Sequence, residues 1–216
     1  MPNQDQKNQP IIDPMLETPI SGDYHNSSSD EKIKKISNHF FEIMTTLGLD
    51  MEDDSLKGTP RRFAKMYVNE LFAGLDQSKR PKITTFENRY NYSEMLIEKN
   101  VKVLSCCEHH FMPFIGKAHV AYMPEGRVVG LSKINRLVNY YSRRPQTQER
   151  LTLQIADDLK KTLNTENVAV VMETRHLCVV TRGAEDHEST TLTNYFSGKF
   201  QEKDKQEKFL SNIRLG

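Results

Sequence analysis

Five consecutive residues, Cys106-Cys107-Glu108-His109-His110, are of types that bind metal ions or move protons, and a smaller group, His176-Leu177-Cys178, lies further along the chain. Cys107-x-x-His110 has the spacing of a two-ligand metal hook. Cys178, 68 residues beyond His110, closes the set if two strand ends are neighbours. Thiolate and imidazole suit zinc, and three protein ligands instead of four leave a position for water, which ionises near neutral pH and becomes a nucleophile. Four neighbouring Cys and His residues at a strand end cannot all face inward, which argues against a purely structural cluster. In an extended chain Cys106 points away from Cys107, so one of the two is a small buried hydrophobe, and the spacing selects Cys107 as ligand. Alternation along a strand would put His176 and Cys178 on one face. His25, His39, His119 and His187 have no comparable company, and solvated or structural roles fit them.

A second constellation is suited to anions. In Gly130-Leu131-Ser132-Lys133-Ile134-Asn135-Arg136, Lys133 and Arg136 fall one helical turn apart near a helix start, beside the Ser132 hydroxyl. Backbone N–H groups and cations can hold phosphate together there, although a solvated helix face has the same pattern. Arg143-Arg144, Gln148-Glu149-Arg150 and Arg182-Gly183 follow. Gln148 and Glu149 offer an amide and a carboxylate able to read the N–H and carbonyl edge of a guanine-like base, or they form part of an exposed helix. Arg61 and Arg62 sit in the first turn of a helix, where a cation is disfavoured unless it faces solvent or an anion.

The elements that must position these groups are legible from periodicity. Residues 1–30 carry little apolar surface and read as a flexible tail. Ser28-x-x-Glu31 resembles a capping box for a helix with Ile33, Ile36, Phe40, Ile43 and Leu47 on one face, closed by Gly48. Thr59 can cap a second helix, with Pro60 in its first turn and Gly74 at its end. The stretches Val101–Leu104, His119–Met123, Val168–Glu173 and Leu177–Thr181 read as strands. Between the two strand pairs, Ser132 and Pro145 start two helices. This order predicts an α+β fold, an antiparallel four-stranded sheet with helices on one face. Three regions follow: a tail over 1–30, a helical region over 31–95 and a catalytic domain over 96–216.

Composition narrows the function classes. Thirty Lys+Arg against 29 Asp+Glu leave a net charge of +1, which excludes nucleic-acid binding driven by bulk charge. The longest apolar run, Val168–Met172, is far short of the ~18 residues of a membrane helix. The N-terminal residues lack a secretory or transit pattern, and three cysteines give no disulfide framework, so the cytoplasm is the expected compartment.

Taken together, Cys107-Glu-His-His110, Gly130-Leu-Ser-Lys-Ile-Asn-Arg136, Arg144-Pro-Gln-x-Gln-Glu-Arg150 and His176-x-Cys178 with Arg182-Gly183 resemble GTP cyclohydrolase I. The resemblance runs from about Leu56 to Phe200 and includes Thr59-Pro-x-Arg-x-Ala-Lys-Met-Tyr67; the tail and much of 201–216 lie outside it. It implies the tunnelling fold (T-fold), and conversion of GTP and water into 7,8-dihydroneopterin triphosphate and formate, the first step toward folate or tetrahydrobiopterin. It further implies Cys107, His110 and Cys178 as zinc ligands, and His109 and His176 as proton carriers during attack on C8 of the guanine ring and release of formate. Ser132 falls near the ribose, Gln148 and Glu149 on the guanine edge, and Lys133, Arg136 and Arg182 on the triphosphate, with Arg62 arriving from a neighbouring subunit. The implied assembly is a homodecamer of two stacked pentamers. Two rival readings are a nitrile reductase of the same fold, which would use a cysteine nucleophile and a nicotinamide cofactor, and a zinc-stabilised binding protein without catalysis.

Overall fold

A computed structural model describes residues 13–22 and 27–214. Helix α1 (Ser29–Thr46) starts at the expected capping box: Glu31 N–H donates to Ser28 Oγ at 3.3 Å, and Ser28 N–H donates to a Glu31 carboxylate oxygen at 2.7 Å. Gly48, at φ 82°, ends it. Phe40 stacks on Phe63 of α2 (Thr59–Met66) with 3.7 Å between ring centroids, whereas Ile43 and Leu47, expected to face inward, are exposed. The N-cap of α2 is Gly58, not Thr59, and the helix runs on through a wider π turn, Tyr67–Leu71. Gly74 does more than end this region. A Cβ there would lie 2.2 Å from the carbonyl of Tyr140, so the missing side chain lets the helical region dock on the rest of the protein.

Strand β1 (Thr85–Glu87) pairs with β4 (Arg127–Val129), and between them come β2 (Leu96–Cys107) and β3 (Pro113–Tyr122). Helix α3 (Leu131–Ser142), β5 (Pro145–Gln146), α4 (Gln148–Leu163), β6 (Val168–His176), α5 (Leu177–Val180), β7 (Thr191–Phe196) and α6 (Lys203–Arg214) complete the order. The main sheet runs β5-β2-β3-β6-β7, with β2, β3, β6 and β7 antiparallel and β5 joined parallel to Cys106 and Cys107. The α+β expectation therefore holds, with three local corrections. Leu177–Thr181 is not the fourth strand. Strand β6 stays paired as far as His176, opposite Phe114, and the next residues close a helical turn through Thr181 N–H to the Leu177 carbonyl at 2.9 Å; the fourth strand is β7. Pro145 does not start a helix, because it and Gln146 extend the sheet and Thr147 caps α4. Ser132 lies within α3, whose N-cap is Gly130.

Alternation gives the sheet two apolar faces. Val103, Ala118, Val120, Val168, Val170 and Met172 meet α3 and α4 in the larger core. Ala121, Ala169 and Val171 face the other way, against Phe200 and Phe209, so α6 covers part of the face that was expected to carry no helix. Gly116 of β3 leaves no room for a side chain beside β6: a Cβ there would lie 2.0 Å from the carbonyl oxygen of Glu173. Inside the helical layer Asp158, fully buried, accepts hydrogen bonds from Arg80, Tyr141 and Thr162. Of the expected tail, residues 1–12 and 23–26 lie outside the described residues. The described part rests on α4, where Asp13 N–H donates to Asp157 at 2.7 Å and the Gln154 amide donates to the Leu16 carbonyl at 2.6 Å.

Candidate metal centre and active site

Cys107 is the last residue of β2, anchored by its N–H to the Met112 carbonyl at 2.8 Å. The chain then turns sharply. Phe111 N–H returns to the Cys107 carbonyl at 2.9 Å, and Phe111 takes the left-handed conformation, at φ 54°. This turn presents His110, while α5 brings Cys178 from the end of β6. The ligand atoms of Cys107, His110 and Cys178 all lie within 4.8 Å of one another. Donors on a tetrahedral zinc, at bond lengths of about 2.0–2.3 Å, sit roughly 3.3–3.8 Å apart, so a small inward movement of side chains would close the set. The donor chemistry fits as well. Burial, with Cys107 next to it, pushes the Cys178 thiol up, and a cation between the two sulfurs would relieve that cost by stabilising both thiolates. Cys106 is not part of this group, and burial pushes its thiol up to about 12, so it is the small protonated hydrophobe of the pair.

Beside this trio His176 ends β6. Its ring stacks on Phe114 at 4.6 Å and 14°, and its Nε2 lies 2.9 Å from Gln148 Oε1. Burial holds the imidazole below its ordinary pKa against the opposing pull of Glu149, so the ring is neutral at neutral pH. His109 is exposed, with Nδ1 3.8 Å from Cys107 Sγ and Nε2 3.9 Å from Glu108. Glu108 is itself paired with Arg150, which also donates to Gln146 Oε1 at 2.9 Å. A soft-ligand trio, a shielded neutral imidazole and a second, solvated imidazole can together activate water and carry protons to and from a bound ring.

The family model described as GTP cyclohydrolase I matches residues 36–214. The chain belongs to the GTP cyclohydrolase I family. Among its relatives, "GTP cyclohydrolase 1" of Flavobacterium johnsoniae is 53% identical over 197 residues, covering 91% of this chain and 88% of that one. Those of Aeromonas salmonicida (48% over 200 residues, covering 92% and 91%) and Vibrio campbellii (50% over 186 residues, covering 86% and 85%) are also similar. As a GTP cyclohydrolase I family enzyme, the chain matches over more of its length than the motifs suggested, from within α1 to the end of α6.

The remaining site residues divide by position. Glu149 acts electrostatically on His176 and Arg182 on Cys178, so both lie at the metal end of the sheet, and both are exposed. Ser132, Lys133 and Arg136 do not. The start of α3 is pinned by Asn135 Nδ2 to Glu98 Oε1 at 2.9 Å, and Glu98 lies nine residues of strand from Cys107. One of the nine is the extra residue of a β-bulge between Glu98 and Val101, so at about 3.3 Å per residue the separation is about 26 Å within one protomer. Arg62 is tied to its own helix start, donating to the Ser55 carbonyl and Thr59 Oγ1 at 2.9 Å each. Gln148 is 2% exposed, with its amide engaged inside the protein. Sequence reasoning missed the partners of that amide: Thr191 and Thr193 because β7 was not recognised as a strand, and Thr174 because it lies one residue past the strand expected over Val168–Glu173; it also missed Phe114 under His176.

Proposed function

We propose that this enzyme converts GTP and water into 7,8-dihydroneopterin triphosphate and formate with the aid of zinc, the first step toward folate or tetrahydrobiopterin. The observation that carries the reading is the convergence of Cys107, His110 and Cys178 next to the shielded His176, in a chain of the GTP cyclohydrolase I family. Zinc held by this trio would supply the Lewis acidity that makes water a nucleophile near neutral pH. His176, neutral and within the site, takes the proton that the attacking water loses and passes it to N7 of the purine, and His109 shares the transfers during the second hydration that frees formate. Glu149 holds the N–H edge of the guanine, Arg182 meets the triphosphate, and Ser132, Lys133, Arg136 and Arg62 complete the ribose and phosphate contacts.

These last contacts bear on assembly. About 26 Å of strand is longer than an extended nucleoside triphosphate, which supports a site completed by another copy of the chain. Among the described residues strand β7 leaves one sheet edge unpaired, with Leu192 exposed on it. Joining such edges between copies supports the T-fold barrel over 96–216 and the decamer, with the helical region 31–95 outside the barrel. Three free thiols fit a reducing cytoplasm, and no helix among the described residues is long and apolar enough to cross a membrane. The test is incubation of zinc-replete protein with GTP, following formate and the fluorescent pterin formed on oxidation. Both products are expected; neither appearing would refute the proposal. Turnover that required a reduced nicotinamide would favour the nitrile reductase instead.

A further inference from the structure

The buried amide of Gln148 has a fixed orientation. Its nitrogen faces two groups that can only accept, the carbonyls of Met172 at 3.1 Å and Thr191 at 3.0 Å, as well as Thr193 Oγ1 at 3.1 Å. A flipped amide would set its oxygen against both carbonyls. The hydroxyls complete a closed circuit. Thr152 Oγ1 donates to the Gln148 carbonyl at 2.9 Å, which leaves Thr193 to accept from the Gln148 amide and donate to Thr152 at 2.8 Å. On the other side Gln148 Oε1 accepts from Thr174 Oγ1 at 2.6 Å and lies 2.9 Å from His176 Nε2. An acceptor locked in that position requires Nε2 to carry hydrogen. The Phe114 ring stacked at 4.6 Å resists rotation of the imidazole out of this contact.

We infer that Gln148 is a positioning residue that holds His176 as the Nε2–H tautomer, leaving Nδ1 as the one ring nitrogen that exchanges protons with the reacting purine. This rests on the proton-carrying role of His176 proposed above. It assigns Gln148 to the histidine and leaves the base edge to Glu149, since every amide hydrogen and the amide oxygen are already engaged within the chain. The logic is that of any catalytic imidazole whose free nitrogen is set by the bond the other makes.

Two measurements test it. The first is magic-angle-spinning ¹⁵N NMR of the histidine-labelled, zinc-loaded wild type, with the His176 signals identified by their loss in His176→Ala. A protonated Nε2 and a bare Nδ1 are expected; a protonated Nδ1 with a bare Nε2 would overturn the inference. This readout needs no turnover, so it stands apart from any failure of the proposed reaction, and no altered fold. The second is Gln148→Leu, similar in size but without an acceptor. The expected result is kcat lower by roughly 10²-fold, the scale of a general acid–base contribution, with KM and zinc content nearly unchanged. A raised KM with unchanged kcat would mean that Gln148 reads the base, and would overturn the positioning role.

Discussion

Replacing Asp158 by alanine tests the packing that supports the site. The carboxylate is fully buried and accepts from Arg80 Nη2 at 2.7 and 2.9 Å, from Tyr141 Oη at 2.6 Å and from Thr162 Oγ1 at 2.9 Å. Its removal strands a guanidinium and a phenol hydroxyl together. Breaking a buried pair by deleting one partner costs about 3–5 kcal/mol, and an unsatisfied buried hydroxyl about 1–3 more. The Arg80 side chain keeps 24% of its surface in water and can partly rehydrate, which brings the expected total down to about 4 kcal/mol. With a urea slope of about 2 kcal/mol/M, the unfolding midpoint should fall by about 2 M, measured at fixed protein concentration and full metal loading. A cycle with Arg80→Ala should show coupling of about 2 kcal/mol or more. Asp158→Ala costing under about 1 kcal/mol, or a strictly additive cycle, would refute this account of the helical layer.

Three further outcomes follow from the site and its frame. Cys107→Ala and Cys178→Ala should each abolish stoichiometric zinc binding, read by metal analysis after dialysis, while Cys106→Ala leaves it intact; retention in Cys107→Ala with loss in Cys106→Ala would reverse the choice of ligand. His176→Ala should retain zinc but lose formate release by at least ~10²-fold, and unchanged turnover would end its proton-transfer role. Ser28→Ala removes the α1 capping box at an expected cost of about 1 kcal/mol, visible as a lower Tm; an unchanged Tm would show that the cap does not hold the start of the helix.

Much of this was legible in the chain because each signal was local. The capping box at Ser28, the continuous apolar run of Val168–Met172 and the Cys107-x-x-His110 spacing each depend on a few neighbouring residues, and the structure realises all three. What failed depended on distant partners. Leu177–Thr181 is as β-branched as a strand, yet no strand was left to receive it once β6 had paired through His176, so it closed into a turn that still delivers Cys178 to the metal end. Thr191–Phe196 became the strand because Tyr195 and Thr193 could pair along Val170 and Met172, contacts invisible in a window of six residues. The burial of Gln148 has the same origin, since its partners come from β6 and β7.

Gly116 sets the mechanical tolerance of this arrangement. The atoms that a side chain would strike there are backbone, Glu173 O and Thr174 Cα, so nothing flexible could give way and β3 and β6 would have to be wedged apart. Two residues along β3, Phe114 stands opposite His176. A wedge at Gly116 would therefore displace the imidazole from its stacked ring while Cys107, on the far side of β3, stayed in place. Substitutions at this position should be felt as lost alignment of His176 and Cys178, which both follow β6, against Cys107 and His110 before they are felt as lost fold, and the fineness of the site's geometry is governed by a carbon atom that the sequence omits.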